Sequence, residues 1–231
     1  MRAFLRCATV GVATVAAVAL TASTSDAAAV WSSSAQWATW SNGGYTLRND
    51  VWGHGAGPQT IWGNSYRDWG VNSNQPNTGG VKSYPQVAKA VNKKLSAIGS
   101  VTSNFAVSLP SGGSYEATYD IWADSNRYEI MLWMSKAGAV GPIGSKQATV
   151  TVGGHTWDVY KGSNGRNAVF SFLRQGNTTA GAVDVKAVLN WIKSKGWFGD
   201  VTLGDVQFGF EITSASGGKN FAVTDFGVSS S

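Results

Sequence analysis

Only three glutamates occur in this chain of 231 residues, Glu116, Glu129 and Glu211, and two of them interrupt segments that otherwise read as core β-strand. Glu129 lies in RYEIMLWM (127–134) and Glu211 in VQFGFEIT (206–213), among aromatic and aliphatic residues. A carboxylate is costly to bury without a partner, so its presence there asks for a chemical reason. Hydrolysis of a glycosidic bond uses two carboxyl groups flanking the bond, one ionised and one carrying a proton. Burial and a charged neighbour raise one of the two pKa values and so divide the roles. Asp120, in TYDIWAD (118–124), is a third acidic residue set among strand formers. Glu116, close to the Gly112-Gly113 turn signal, is expected to be solvated at the surface.

Strand alternation decides where these groups point, because successive side chains leave opposite faces of a sheet. In 127–134, Tyr128, Ile130, Leu132 and Met134 form a wholly apolar set that must face a core, which puts Glu129, Met131 and Trp133 on the other side. In 206–213, Phe208, Phe210 and Ile212 face the core, and Gly209, Glu211 and Thr213 face away, with Gly209 expected to leave room above Glu211. Asp120 shares its face with Trp122 and Asp124. If the two glutamate strands belong to one concave sheet, both carboxyl groups enter one cleft, and a neighbouring Asp120 could orient Glu129 and tune its basicity.

Short runs rich in β-branched and aromatic residues, bounded by Gly, Asn, Ser and Pro, recur from Trp31 to the C-terminus. Many alternate with period two, as half-buried strands do. Gly112-Gly113, Gly153-Gly154 and Asn164-Gly165 mark turns between them. One stretch has another period: Val185, Val188, Leu189 and Ile192 fall on one helical face, and Gly196 ends the pattern. The run 86–98, QVAKAVNKKLSAI, fits either a helix or a strand followed by a loop. Many short strands with one late helix imply an all-β jelly-roll sandwich of two antiparallel sheets, with a concave cleft and one α-helix.

The bulk composition narrows the class. Arg2 and Arg6 precede an apolar Ala/Val-rich run ending in Ala27-Ala28-Ala29, the pattern of a secretory signal over 1–29 with a single catalytic sandwich domain over 30–231. The apolar run falls short of the ~20 residues a transmembrane helix needs. A secreted, extracellular protein with no membrane attachment after cleavage is therefore expected. Cys7 is the one cysteine and precedes the apolar run, so the mature chain has no disulfide. Removing 1–29 takes away Arg2, Arg6 and Asp26, and the formal charge falls from +5 to +4. The basic residues are scattered, which argues against nucleic-acid binding. His54 and His155 lie far apart with no further ligand nearby in sequence, so neither metal nor cofactor is expected, and the protein is expected to be a monomer. Eleven tryptophans among few charges suggest a carbohydrate-handling protein, because sugar rings present apolar faces that stack on indoles. Trp157, Trp191 and Trp197 are expected to pack in the core.

Four stretches then carry a resemblance to glycoside hydrolase family 12, secreted jelly-roll endo-β-1,4-glucanases and xyloglucanases. NDVWG (49–53) is similar to the family's Asn-Asn-x-Trp-Gly segment, and YEIMLWM (128–134) to its nucleophile strand. GPIGSKQATVTVGGHTWDVYKG (141–162) resembles the loop and hairpin that follow, and QFGFEIT (207–213) the strand bearing its second glutamate. The resemblance spans residues from about 36 to the C-terminus. It implies a retaining mechanism with Glu129 as nucleophile, Glu211 as acid/base and Asp120 supporting the nucleophile. It also implies substrate contacts from Trp52, Met131 and Trp133, with Trp37 and Asn49 as further contacts, and a carboxyl separation of about 5–5.5 Å. The implied activity is cleavage of β-1,4 bonds in cellulose-type glucans. The alternatives are a xyloglucan or mixed-linkage glucan hydrolase of the same family, or a non-catalytic carbohydrate-binding sandwich. A related jelly-roll xylanase fits less well, since its nucleophile strand reads Glu-Tyr-Tyr. Three departures stand out. Ser34 and Ala35 occupy the place of a disulfide cysteine in many relatives, Asp50 replaces a second Asn, and GFEIT replaces Gly-Thr-Glu-Pro-Phe.

Overall fold

The computed structural model describes residues 28–231. The signal segment expected over 1–29 lies, up to residue 27, outside the described residues, as does Cys7. The early strands are β1 (Trp31–Ser33), β2 (Thr39–Asn42), β3 (Tyr45–Arg48), β4 (Gln59–Ser65) and β5 (Asp68–Ser73). The middle of the chain supplies β6 (Gln86–Lys94), β7 (Val101–Ser108), β8 (Ser114–Ala123), β9 (Tyr128–Ala137), β10 (Ser145–Val152) and β11 (His155–Ser163). Then come β12 (Ala168–Arg174), β13 (Ala180–Asp184), the helix α1 (Val185–Ser194), β14 (Thr202–Ser214) and β15 (Lys219–Ser230).

Two sheets result, a six-stranded one in the order β1-β4-β5-β15-β7-β13 and a nine-stranded one in the order β10-β11-β12-β9-β8-β14-β6-β3-β2. Their facing sides share one apolar core, as the alternation requires. Ile130, Leu132 and Met134 of β9 and Phe208, Phe210 and Ile212 of β14 are fully buried in it, with Trp157 beside them. The pairing is antiparallel except at one place: β12 runs parallel to β9, Ala168 facing Tyr128 through Leu173 facing Trp133. The β10–β11 hairpin, turning at Gly153-Gly154, reverses the chain an extra time and brings β12 back in the direction of β9.

The helix covers the predicted stripe. Asp184 precedes it and its carboxylate accepts a hydrogen bond from the Ala187 amide at 2.9 Å, satisfying a donor that has no partner inside the helix. Val185, Val188, Leu189 and Ile192 are buried, and the helix packs on β7 and β10. Gly196, at φ 68°, takes the left-handed turn just beyond the helix end. The ambiguous run 86–98 is a strand, β6, followed by a single 3-10 turn over Leu95–Ala97. Its alternating Val87 and Ala88 sit in a central ladder between β3 and β14, and that pairing outweighs its helical propensity.

Around Ser34 and Ala35, hydrogen bonds hold the N-terminal segment to the sandwich. The Asn49 amide donates to the Ala35 carbonyl at 3.0 Å, and the Gln36 amide donates to the Val51 carbonyl.

Candidate active site

The face of the nine-stranded sheet that points away from the core carries a cleft of about 650 Å³. That volume lies within the ~300–1,000 Å³ usual for ligand sites. Its lining comes from β2, β3, β6, β14, β8 and β9, so the sheet curls around it. Three adjacent strands form the floor. On β8, Trp122 faces Glu129 of β9, and Asp120 faces Met131 of β9 on one side and Gln207 of β14 on the other. Glu211 lies further along β14, opposite Glu116 of β8. Glu129 and Glu211 therefore stand on the two strands flanking β8, and both line the cleft, with Asp120 on the strand between.

Exposed apolar surface concentrates at the same place. Trp37 is 61% and Trp52 50% exposed, and both line the cleft together with Ile143. These are three of the four large hydrophobic side chains exposed among the described residues, and soluble proteins seldom leave such groups clustered without a binding use. Met131 and Trp133 form a buried apolar patch with Val169 beneath them. Several polar atoms at the floor are buried without a protein partner, namely Asp120 Oδ1, Gln86 Oε1 and Trp133 Nε1. Buried polar groups are normally paired, so a cleft with several unpaired ones is suited to a polar ligand with apolar faces.

The electrostatics follow from burial. Glu129 is pushed up to about 7, chiefly by desolvation and then by the charge of Glu211. Asp120 is raised well above the carboxylate range by burial, with the charges of Glu129 and Glu211 adding to it. Burial also raises Glu211, while a hydrogen bond with Glu116 pulls it down. Three carboxyl groups so placed do not all ionise at neutral pH. Protonating Glu211 removes the repulsion it exerts on Glu129. An ionised Glu129 is therefore easiest to hold when Asp120 and Glu211 are neutral. The Asn164 amide donates to Glu129 Oε2 at 3.1 Å and favours that ionised form. Tyr84 is buried at the edge of the cleft, where its hydroxyl donates to the Thr118 carbonyl at 3.2 Å. Desolvation first, and the surrounding carboxylates after it, keep it neutral.

The structure brings Glu129, Glu211, Asp120, Trp37, Trp52, Met131 and Trp133 to one cleft and leaves Asn49 out. Asn49 is fully buried and spends its side chain on Ala35 and on Gln59, whose amide donates to Asn49 Oδ1 at 3.0 Å. It shapes the turn that carries Asp50 and Trp52 and does not face the cleft. Asp50 itself lines the cleft with φ 44°, a left-handed conformation that Asp and Asn tolerate best after glycine. Burial raises its pKa, against a hydrogen bond with Gln86 and the charge of Arg48. Glu116 is not solvated as expected: it is 2% exposed, because β8 is a central strand and Glu116 shares the face of Thr118 and Asp120. Nor does Gly209 leave open room. A Cβ there would meet the Pro85 carbonyl and Gln86 at the start of β6, so the glycine permits close approach of two strands.

Sequence reasoning passed over Tyr84, Gln86, Arg48, Asn126 and Asn164, all of which line or back the cleft. Trp122 and Gln207 could have been picked out, since each alternates in phase with an acidic cleft residue on its own strand. Asn126 and Asn164 lie in turns, where no periodicity reports direction.

Comparison with known proteins places this site in context. The family described as glycosyl hydrolase family 12 matches residues 8–230. A probable xyloglucan-specific endo-beta-1,4-glucanase A from Aspergillus terreus is 33% identical over 78% of this chain and 80% of its own length. Endoglucanase S from Pectobacterium parmentieri is 31% identical over 76% and 78%. Among solved structures, the xyloglucanase domain of NopAA, a type three effector from Sinorhizobium fredii, solved in complex with cellobiose, superposes with a TM-score of 0.84. That domain is 45% identical, over 87% of this chain and 99% of its own.

Proposed function

We propose, from the premise that this chain belongs to glycosyl hydrolase family 12, that it is an endo-acting β-1,4-glucanase working by double displacement, with Glu129 as nucleophile and Glu211 as acid/base. The observation that carries the assignment is the placing of both glutamates in one cleft, on the two strands flanking β8, with a buried Asp120 between them. In the first step the Glu129 carboxylate attacks the anomeric carbon and forms a glycosyl ester. The bond to the leaving sugar breaks, and the proton of Glu211 goes to its oxygen. In the second step the Glu211 carboxylate takes a proton from water, the hydroxyl adds to the anomeric carbon, and Glu129 leaves as carboxylate. Two inversions give net retention. Neutral Asp120 supports Glu129 from the neighbouring strand, and Asn164 holds its outer oxygen. Trp37 and Trp52 offer indole faces to successive sugars along the open cleft, as an enzyme cutting inside a polymer needs.

The substrate is a β-1,4-glucan chain, and xyloglucan is the second reading, favoured by the names of the Aspergillus terreus and NopAA relatives. Extracellular action on polysaccharide agrees with the N-terminal signal pattern. No helix among the described residues is long and apolar enough to cross a membrane.

Reducing-sugar release from carboxymethylcellulose, mixed-linkage β-glucan, xyloglucan and xylan tests this directly. Glu129→Ala and Glu211→Ala are each expected to lose at least ~10³-fold in kcat. Azide added to Glu129→Ala should yield a glycosyl azide of inverted configuration. Either alanine variant keeping activity within a few-fold of wild type would overturn the assignment.

A further inference from the structure

Glu116 is a buried glutamate that the double-displacement reading does not use. It lies directly across the β8–β14 ladder from Glu211, and side chains so opposed have Cβ atoms about 4.5–5.5 Å apart. Its side chain does not line the cleft, whereas that of Glu211 does. It forms none of the salt bridges found among the described residues. Its Oε2 is buried without a partner. Lys136, which faces it from β9, has its side chain at the surface. A carboxylate buried in that way would be unstable, so Glu116 holds a proton and becomes a donor.

We propose that Glu116 is a positioning residue for the acid/base Glu211: its neutral carboxyl donates a hydrogen bond across the β8–β14 ladder to Glu211, holding that carboxylate toward the cleft and stabilising its charge as it yields its proton. The inference rests on the acid/base role given to Glu211 above. Burial raises Glu116 most, the charge of Glu211 next and a hydrogen bond with Glu211 after it, and the same hydrogen bond acts to lower Glu211 against its own burial. It strengthens as Glu211 becomes charged, so it makes Glu211 a stronger acid against the burial that would weaken it. No proton leaves Glu116 in the cycle. Proton transfer runs from Glu211 to the leaving oxygen, and from water back to Glu211. The other ionisable groups bearing on the pair are Asp120 from β8, Glu129 and Lys136 from β9, and Tyr84 from the segment before β6. Across β14 the register also sets Tyr84 opposite Glu211, but its hydroxyl is spent on the Thr118 carbonyl, and among the described residues Glu116 is the carboxyl group that faces Glu211.

Two variants and one spectroscopic titration test the inference. Glu116→Gln keeps an amide donor and is expected to hold kcat/KM within about threefold of wild type, with an unchanged pH profile. Glu116→Met keeps the length and removes the donor. It is expected to lose about tenfold or more in kcat on glucan with little change in KM. Its basic limb should move up by about one pH unit, because Glu211 then lacks the bond that favoured its charged form. On a β-cellobioside with a dinitrophenyl leaving group, which departs without a proton, the Met variant should match wild type. Because the chain has only three glutamates, carbon-13 labelling of glutamate gives three carboxyl resonances. One of these should stay protonated through neutral pH and vanish in Glu116→Gln, even if the Met variant does not fold. An unshifted profile in Glu116→Met, a Gln variant as impaired as Met, or three resonances that all titrate in the ordinary carboxylate range would each overturn the inference. Glu211→Ala separates the two levels of the argument. If its loss does not depend on the leaving group, the role of Glu211 itself fails. If that dependence is present while Glu116→Met is unshifted, the role of Glu116 alone fails.

Discussion

Replacing Glu129 by Gln should make this protein more stable at alkaline pH while abolishing its activity. The folded protein raises the Glu129 carboxyl from 4.5 to about 7, by desolvation first and the charge of Glu211 second. Between those two pH values the folded state binds a proton that the unfolded chain has released. Stability therefore falls as pH rises through that window, opposite to the behaviour of a salt-bridged carboxylate. A rise of about two and a half units corresponds to a cost on the order of 3 kcal/mol, complete above pH ~7 and absent below pH ~4.5. Gln has no proton to lose, fills the same volume, and keeps an oxygen for the hydrogen bond that Asn164 donates at 3.1 Å. For a domain of this size each kcal/mol moves Tm by about 2–4 °C. Differential scanning calorimetry at pH 8 should then place Tm of Glu129→Gln roughly 6–12 °C above wild type, with the two curves converging near pH 4. Parallel Tm–pH curves, or a variant less stable than wild type at pH 8, would refute the reasoning that burial at the catalytic face is what raises this group. Asp120, Glu116 and Glu211, raised by burial as well, shift stability in the same direction.

Trp37→Ala and Trp52→Ala each remove an exposed indole from the cleft. They should raise KM for polymeric glucan about tenfold, with Tm within about 2 °C of wild type, as steady-state kinetics and calorimetry will show. Asp120→Asn keeps a neutral donor beside Glu129 and should stay within about tenfold of wild-type kcat/KM, whereas Asp120→Ala should lose about a hundredfold. Activity in Asp120→Ala as well retained as in Asp120→Asn would show that Asp120 is dispensable. Gly209→Ala drives a methyl group against the Pro85 carbonyl and Gln86, so it should lower stability by about 2 kcal/mol or more on urea unfolding. A neutral outcome would mean that β6 and β14 can separate at no cost.

Legibility differed between residues for physical reasons. The core faces of β9 and β14 were readable because a period of two is a local property, and Ile130, Leu132 and Met134, like Phe208, Phe210 and Ile212, fell in phase. The α1 stripe was readable for the same reason at a period of 3.6. The run 86–98 was not, since its choice between helix and strand was made by β3 and β14, which lie far away in sequence. Glu116 was misplaced because a turn signal nearby suggested exposure, while its burial depends on β14 covering that end of β8. Asn49 was expected at the cleft from the resemblance, but it continues the inward alternation of Tyr45 and Leu47, and Arg48 and Asp50 take the cleft side.

By itself the sequence determined which face of each strand is apolar, where the chain must turn, and that two glutamates leave those strands on the non-core side. Such facts follow from local alternation and composition. Only the tertiary structure decided which strands are neighbours. The order β9-β8-β14 put Asp120 between the two catalytic candidates and Glu116 against Glu211. It also raised their pKa values, because desolvation and charge repulsion act through space between groups that the chain holds far apart.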